Sequence, residues 1–274
     1  MTLGPLGLAA LVETRRAFDT VAETYHDENQ RNPVIREMRR RTIEAITSRL
    51  APGSRLLDLG CGPGPDAEVL GRLGYDVLAI DWSPEMVEEA SRRIRASGLE
   101  RRVEVRNLGI HELDRLEAVA FDGVYADLGP LNCTPDLSAA ARGIAQRLNP
   151  GGIFVASIIG RVCPWEIALY GLRRDWNRLR VRFSRDFVPV PFYGRTVWTR
   201  YYTPAEVERT FAHTGFERVA LRSLGLLVPP PYLEGFASRH PGLVRALEKL
   251  EDRVASCPGL RQWGDHFLIV MRKP

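Results

Sequence analysis

The sequence predicts an α/β fold in which a doubly wound sheet of seven strands is flanked by helices on both faces. Short apolar runs alternate with helical segments, a glycine-rich turn follows the first run, and 45% of the 274 residues are hydrophobic. Alternation of this kind builds a mostly parallel sheet covered by helices. A chain of this length also buries enough surface for a sizeable core.

The elements follow one another along the chain. Apolar side chains at helical spacing predict N-terminal helices over residues 14–50. Further helices are predicted over residues 66–73, 84–97, 137–148, 204–213 and 243–254. Strands are predicted over residues 55–59, 77–81, 103–106, 121–126, 152–158, 218–227 and 266–271. Because a helical excursion precedes the last strand, we expect that strand to insert antiparallel.

These elements divide the chain into four parts. We expect an N-terminal helical segment at 1–50, a ligand-binding core at 51–160, an inserted cap at 161–202 and the rest of the core sheet at 203–274. The cap is predicted because the alternation stops for about forty residues, and loops this long in compact domains are usually lids or binding elements.

Composition excludes several classes of protein. With 38 basic and 34 acidic residues the net charge is +4, which is too small to indicate a nucleic-acid binder by itself. The four cysteines form no CxxC pair and have no histidine at metal-ligand spacing, so we expect neither a structural metal nor disulfides. No apolar run is long enough to span a membrane, and the start of the chain lacks the basic leader of a signal peptide. A cytoplasmic location fits best.

The sharpest signal is the turn Asp58-Leu59-Gly60-Cys61-Gly62-Pro63-Gly64, between a predicted strand and a predicted helix. Glycines there let the backbone approach a ligand, and the helix N-terminus offers unpaired N–H groups. A dinucleotide turn would need its third glycine at position 65, where Pro65 stands, and no lysine of a P-loop is near. Taken alone, the glycines could also serve an ordinary tight turn.

A second signal stands at the end of the next predicted strand. Asp81 lies 19 residues after Gly62, and a carboxylate at that strand tip can accept both hydroxyls of a ribose. Trp82 follows and could stack on an adenine. Ser83 and Pro84 then have the residue types of a helix N-cap and first position.

Together the two signals resemble motif I and the acidic second-strand end of class I S-adenosylmethionine (SAM)-dependent methyltransferases. Residues 17–27 are similar to the leading helix of the ubiquinone- and menaquinone-type members, in which a tyrosine, here Tyr25, helps close over the cofactor. The specific motifs cover residues 15–158. The resemblance implies a Rossmann-like fold, SAM as cofactor, and a segment after the fourth strand that meets the cofactor or the acceptor.

The resemblance assigns cofactor contacts to twelve residues. They are Tyr25, Asp58, Gly60, Cys61, Gly62, Asp81, Trp82, Met86, Gly109, Ile110, Asp127 and Leu128. Gly109 departs from the family, because it stands where a carboxylate commonly meets the adenine. Asn107 could replace that contact if the strand register differs. Residues 125–133 lack the Pro-Pro signature of enzymes that methylate nucleic-acid or protein amino groups.

The predicted cap is rich in aromatic and basic residues. It holds 10 of the 23 aromatic residues and nine arginines against three acidic residues. Arginines interleaved with aromatic residues can bind an anionic or planar acceptor through charge and stacking, and they can also bind RNA. Alternatively, the aromatics form the cap's own core and the arginines are solvated.

We therefore expect SAM-dependent methyl transfer to a small-molecule acceptor, anionic or aromatic. One alternative is an RNA methyltransferase. Another is a SAM-binding module without turnover, which only the missing carboxylate at Gly109 supports. No motif distinguishes a catalytic base. The candidates for that role are His26, His111, Asp127, Glu166 and Tyr193.

Overall fold

The computed structural model describes residues 7–117 and 120–274, so the first six residues of the predicted N-terminal segment lie outside the described part. Two helices open this part, α1 (Leu8–Arg31) and α2 (Pro33–Thr47). They separate where the side chain of Asn32 accepts hydrogen bonds from the next backbone N–H groups and caps α2. The helical prediction for this region is therefore realised as two helices.

The described residues form nine strands. They are β1 (Arg55–Leu59), β2 (Asp76–Asp81), β3 (Val103–Asn107), β4 (Phe121–Ala126), β5 (Leu148–Ile159), β6 (Val188–Phe192), β7 (Arg195–Thr199), β8 (Glu217–Leu224) and β9 (His266–Arg272). Seven of them build one sheet in the order β3-β2-β1-β4-β5-β9-β8. β9 is antiparallel to both of its neighbours, which confirms the predicted seven-stranded sheet with an antiparallel last strand.

Helices cover both faces of the sheet. After α2 come α3 (Pro65–Arg72), α4 (Pro84–Ala96), α5 (Leu137–Arg147), α6 (Pro164–Leu172), α7 (Trp176–Val181), α8 (Pro204–Ala212), α9 (Glu234–Arg239) and α10 (Pro241–Val254). Ile144 of α5 and Phe211 of α8 pack in the core on one face. On the opposite face Ile46 of α2, Leu70 of α3 and Ile94 of α4 pack in a second core. The sheet is thus doubly wound, as predicted.

The predicted cap has secondary structure of its own. It contains α6, α7 and the antiparallel hairpin β6–β7. The hairpin is fastened to α1, because the Trp198 backbone N–H donates to Thr14 Oγ1 at 2.9 Å and its indole N–H donates to Glu13 Oε2 at 2.8 Å. The cap hairpin and the N-terminal helix therefore meet, although more than 180 residues separate them.

The strand directions bring several chain segments to one edge of the sheet. β1, β2, β4 and β5 run parallel and end there, whereas β9 runs the other way and begins there. Ligands in doubly wound sheets bind beyond the carboxyl ends of the strands. Among the described helices, none has the length and apolarity needed to cross a membrane.

Candidate functional site

A cavity of about 350 Å³ opens at this edge of the sheet. Eleven of the twelve predicted contact residues line it, and Gly109 does not. We call Asp58, Gly60, Gly62, Asp81 and Trp82 the glycine-turn side of the cavity. We call Phe18, Ile159, Val190, Phe192 and His266 its hairpin side, because the cap hairpin and the elements around it supply these residues.

The glycine turn shapes the cavity wall through left-handed backbone. Gly60 has φ of +74° and Gly62 has φ of +53°, values that side chains disfavour. A Cβ at Gly60 would lie 2.5 Å from Cβ of Pro130, so that glycine permits close packing of the loop after β4. A Cβ at Gly62 would have its nearest neighbour, Sδ of Met86, 4.0 Å away. The missing side chain at Gly62 therefore leaves room in the cavity.

Asp81 is held by the turn that it faces. Its Oδ2 accepts a hydrogen bond from the Gly62 N–H at 2.9 Å, and its Oδ1 accepts one from the Ser83 N–H at 2.9 Å. Burial raises the pKa of Asp81 although these donors oppose the shift. The carboxylate is thus fixed in position and retains lone pairs for a ligand.

The end of β3 contributes differently from the prediction. Ile110 and His111 line the cavity, and the His111 ring meets Trp82 edge-on with 4.7 Å between ring centroids. A Cβ at Gly109 would lie 2.4 Å from Cε1 of His111, so this glycine makes room for the ring instead of lining the cavity. The side chain of Asn107 donates to the Asp81 carbonyl and does not line the cavity either.

Two buried carboxyl groups on the cavity wall each have an oxygen without a partner. Oδ2 of Asp58 and Oδ2 of Asp127 are fully enclosed and lack a hydrogen-bond partner among the described residues. The other oxygen of Asp127 accepts from Thr42 and from Ser157, both at 2.6 Å. Burial raises the pKa of Asp58 well above its usual range. Such oxygens suit a cationic ligand group, which would offset the cost of their burial.

Beside these carboxyl groups lies an ion pair whose two residues were not among the predicted contacts. Arg39 of α2 contacts Asp66 of α3 at 2.6 Å, and both residues line the cavity. Burial is the main reason why the pKa of Asp66 is raised. Arg39 is one of four arginines in α2, and no spacing in that helix distinguishes it from the others.

Aromatic rings cover the cavity from α1 and the hairpin. Phe18 lies 5.1 Å from Phe192 and 6.2 Å from Tyr25, measured between ring centroids. Tyr25 lies 6.1 Å from Phe192 and therefore completes the group. Burial raises the pKa of Tyr25, so its hydroxyl keeps its proton. Tyr25 thus lines the cavity beside Phe192 of the hairpin, and its closure over a cofactor stays a prediction.

The arginines of the cap take no part in lining the cavity. Arg173 and Arg174 are exposed, whereas Arg182 is buried and bonded to Glu166 and Asp265. Cys163, Glu166 and Asp265 offer atoms within 4.8 Å of one another, as metal ligands do. The Arg182 guanidinium already bonds both carboxylates, so it occupies the position that a metal cation would take among these three residues.

Of the five residues considered as bases, His111 and Asp127 line the cavity, and His26, Glu166 and Tyr193 do not. His266, which was not among the predicted site residues, also lines the cavity. His266 is the first residue of β9 and lies next to the end of β5 because the two strands are antiparallel, an arrangement that no local motif indicates.

Comparisons with known proteins agree with this architecture. A family model described as a methyltransferase domain matches residues 56–152. A ubiquinone biosynthesis O-methyltransferase from Xanthomonas axonopodis pv. citri is 38% identical over 120 residues, which cover 43% of this chain and 49% of that protein. This chain thus spans about half the length of the relatives that it matches.

Two solved structures resemble the whole fold. One is a Burkholderia thailandensis 1,6-didemethyltoxoflavin-N1-methyltransferase with S-adenosylhomocysteine bound, with a TM-score of 0.58, 17% identity, and coverage of 97% of this chain and 88% of the other. The second is a cyclase with a TM-score of 0.56, 21% identity, and coverage of 85% and 80%. At these identities the likeness shows the fold alone, and the cyclase shows that one fold serves more than one reaction.

Proposed function

We propose that this chain, whose residues 56–152 match a family model described as a methyltransferase domain, is a class I SAM-dependent methyltransferase that transfers the methyl group of SAM to a small-molecule acceptor. The observation that carries the proposal is the joining of the Asp58–Gly64 turn with Asp81 in one cavity. The activities of the relatives belong to proteins of which this chain spans about half, so they support methyl transfer here without identifying the acceptor.

The glycine-turn side fits the donor. SAM has a ribose, an adenine and a cationic amino-acid end. Asp81 would accept the ribose hydroxyls, Trp82 and Ile110 would flank the adenine, and Gly62 leaves the space that the molecule needs. The unpartnered oxygens of Asp58 and Asp127 would face the ammonium group. Bound SAM supplies a methyl group made electrophilic by its sulfonium.

The residues of this chain contribute chiefly by position and by exclusion of water. Methyl transfer requires an acceptor atom in line with the reacting methyl group, and holding two reactants in place supplies much of the rate. Phe18, Tyr25 and Phe192 cover the cavity, so they would shield the reacting groups from solvent. The hairpin side would hold the acceptor.

We propose a planar, aromatic acceptor, because the covering side chains offer aromatic faces for stacking. None of the cap arginines lines the cavity, so they do not support an anionic acceptor. The same observation removes the main argument for an RNA acceptor. The arginines that line the cavity, Arg15 and Arg39, are paired with Asp19 and Asp66. We also propose a reducing, cytoplasmic environment, on the spacing of the four cysteines in the sequence.

Mass spectrometry of a metabolite extract tests the proposal. The extract is incubated with the protein and SAM carrying a labelled methyl group, and Asp81→Ala serves as the impaired control. We expect a labelled small molecule with the wild type and much less of it with the variant. Binding of SAM without any labelled product would favour a module without turnover. Label in added RNA but not in the extract would favour the RNA alternative.

A further inference from the structure

His266 lies at the hairpin side, beyond the part of the cavity assigned to SAM. It pairs in register with Ile159, the last residue of β5, and both side chains line the cavity. Two steps in the sheet order separate β9 from β4. Ala126 at the end of β4 is in register with Ala156, three residues before Ile159, so the backbone of His266 is about 14 Å from the end of β4 at roughly 4.8 Å per strand and 3.3 Å per residue. Because β5 lies between the two strands, an aromatic ring would lie beyond the strand ends, in the cavity.

The imidazole of His266 has a carboxylate partner at one nitrogen. Nδ1 lies 2.8 Å from Oδ2 of Asp265, and both residues are buried. Because a carboxylate accepts hydrogen bonds, this contact assigns the ring proton to Nδ1 in the neutral ring. Nε2 then carries the lone pair, and no described residue hydrogen-bonds to it. The dyad therefore presents one proton-accepting nitrogen.

Asp265 is held ionised beside this ring. Burial alone would raise its pKa, but Arg182 and then His266 hold the pKa of Asp265 well below its usual range. Arg182 also bonds Glu166 at 2.6 and 2.8 Å and the Gly160 carbonyl at 2.9 Å. A fixed anion at Nδ1 orients the ring and stabilises the imidazolium that forms when Nε2 gains a proton.

Resting on the proposed methyl transfer, we propose that His266 is the catalytic base that takes a proton from the acceptor, and that this acceptor presents a hydroxyl group to Nε2. Asp265 is then a positioning residue that acts through the ring. Arg182, which is also bonded to Glu166, holds Asp265 in place. This role accounts for the burial of Arg182, the most buried arginine of the cap.

The step balances without any further reactant. A bond forms between the acceptor oxygen and the methyl carbon, while the bond between that carbon and the sulfonium sulfur breaks. The electron pair of the broken bond stays on sulfur, which becomes a thioether. The hydroxyl proton passes to Nε2 of His266 and later leaves to water, so the neutral ring is restored.

Other titratable groups are less suited to this role. Tyr25 lines the cavity, but burial raises its pKa and disfavours the phenolate. Asp127 already accepts two hydrogen bonds at its Oδ1. It directly follows β4 and is assigned to the ammonium group of SAM, not to the acceptor. His111 packs edge-on against Trp82, on the side assigned to the adenine.

The charged groups on the elements around His266 are mostly acidic. They are Asp265 immediately before β9, Glu166 on α6, Arg182 after α7, Arg39 on α2, Asp127 after β4 and Glu251 on α10. Four carboxyl groups therefore stand against two guanidinium groups. This surplus of negative charge accommodates the cationic ring that the step creates.

Two phenolic probes test the proposal with the full chain. Catechol keeps its hydroxyl protons at about pH 7.5 and needs a base, whereas 4-nitrocatechol is largely ionised there and does not. The variants are His266→Asn, whose amide can still donate to Asp265, and His266→Ala. His213→Asn, on the exposed end of α8, is the matched control. Folding and S-adenosylhomocysteine affinity are checked for each variant.

We expect His266→Asn to lower transfer to catechol about 100-fold or more, the usual scale for a general base, with less than about a 10-fold loss on 4-nitrocatechol. His213→Asn should match the wild type.

Several results would overturn the role of His266. They are equal losses on both probes, no loss on catechol, or a wild type that methylates neither phenol. A labelled methyl on an atom that bore no proton, such as a thioether sulfur, would also overturn it. In each case label transferred from SAM to the extract would leave the proposed function standing, whereas no transfer at all would overturn that function.

Discussion

The glycine-turn side of the cavity comes from one short stretch of chain, whereas the hairpin side is assembled from distant segments. Asp58, Gly62 and Asp81 fall within 24 residues and are joined by β1, α3 and β2. Phe18, Phe192 and His266 come from the first helix, the cap and the last strand. A strand-turn-helix unit thus supplies the ribose-facing part of the proposed donor site, whereas tertiary packing creates the proposed acceptor site.

This difference teaches where new acceptor chemistry can arise. The glycine turn needs particular φ values and one carboxylate, so few substitutions preserve it. The hairpin is fastened to α1 by two hydrogen bonds of Trp198 and by aromatic contacts, which many sequences could supply. Changes on the hairpin side can therefore alter the acceptor without disturbing the donor, a separation that the following predictions test.

The largest effect is expected at Gly62. In Gly62→Ala the new Cβ would project into the cavity and take space that SAM needs. We expect calorimetry to show S-adenosylhomocysteine binding weakened by about 3 kcal/mol, roughly 100-fold. Gly53→Ala is the matched control, since its φ is +90° and nothing lies within 4 Å. If the two variants bind alike, Gly62 does not line the donor site.

Asp81→Ala should weaken SAM binding by about 1.5–3 kcal/mol, the scale for losing hydrogen bonds to a charged group. The variant should still fold, because the carboxylate stands at a strand end and bonds only to nearby backbone. Asp76→Ala, at the exposed start of the same strand, should leave the affinity unchanged. Unaltered affinity in a folded Asp81 variant would refute the ribose assignment.

On the other side, Phe192→Ala should slow methyl transfer by about 10-fold, because aromatic contacts worth about 0.5–1.5 kcal/mol each are lost. SAM affinity should stay within about a factor of three. Steady-state kinetics and calorimetry on the same preparation measure both quantities. Trp176→Ala, an exposed aromatic of α7, serves as control. A variant that loses both binding and transfer equally would erase the distinction between the two sides.

A smaller effect concerns stability and pH. The pKa of Asp58 is raised in the folded state by burial, so above about pH 4 the folded protein holds a proton that the unfolded chain has released. This carboxyl therefore costs stability as the pH rises. We expect Asp58→Asn to raise the free energy of unfolding by roughly 1–2 kcal/mol at about pH 7.5, with the gain shrinking toward pH 4.

Urea unfolding of both proteins across that pH range measures the effect, with Asp76→Asn as an exposed control. A gain of equal size at every pH would mean that the ionisation of Asp58 is not its cause. Asp265, next to His266, is paired with Arg182. Removing the charge of Asp265 is therefore not expected to raise the free energy of unfolding.

The sequence was informative where function depends on local spacing. The strand, glycine turn and helix around Gly60 and the acid at Asp81 were predictable, because their φ requirements and strand periodicity restrict nearby residues. Gly109 was predicted to contact the cofactor because of its position in the family pattern. Its role in making room for His111 depends on a side chain that the family pattern does not specify.

The remaining site residues required the fold. Arg39 reaches Asp66 across 27 residues, and Arg182 reaches Asp265 across 83, so neither pair has a spacing that a sequence pattern could reveal. His266 reaches the cavity only because β9 runs antiparallel and begins where β5 ends. Such positions follow from strand direction and packing, which local propensity does not determine.

Calorimetry with S-adenosylhomocysteine and with NAD tests the central claim most directly. The glycine spacing of the Asp58–Gly64 turn and the carboxylate of Asp81 predict binding of S-adenosylhomocysteine at least about 100-fold tighter than binding of NAD, a difference of about 2.7 kcal/mol. Tight binding of NAD, with no heat from S-adenosylhomocysteine, would contradict the assignment of the cavity.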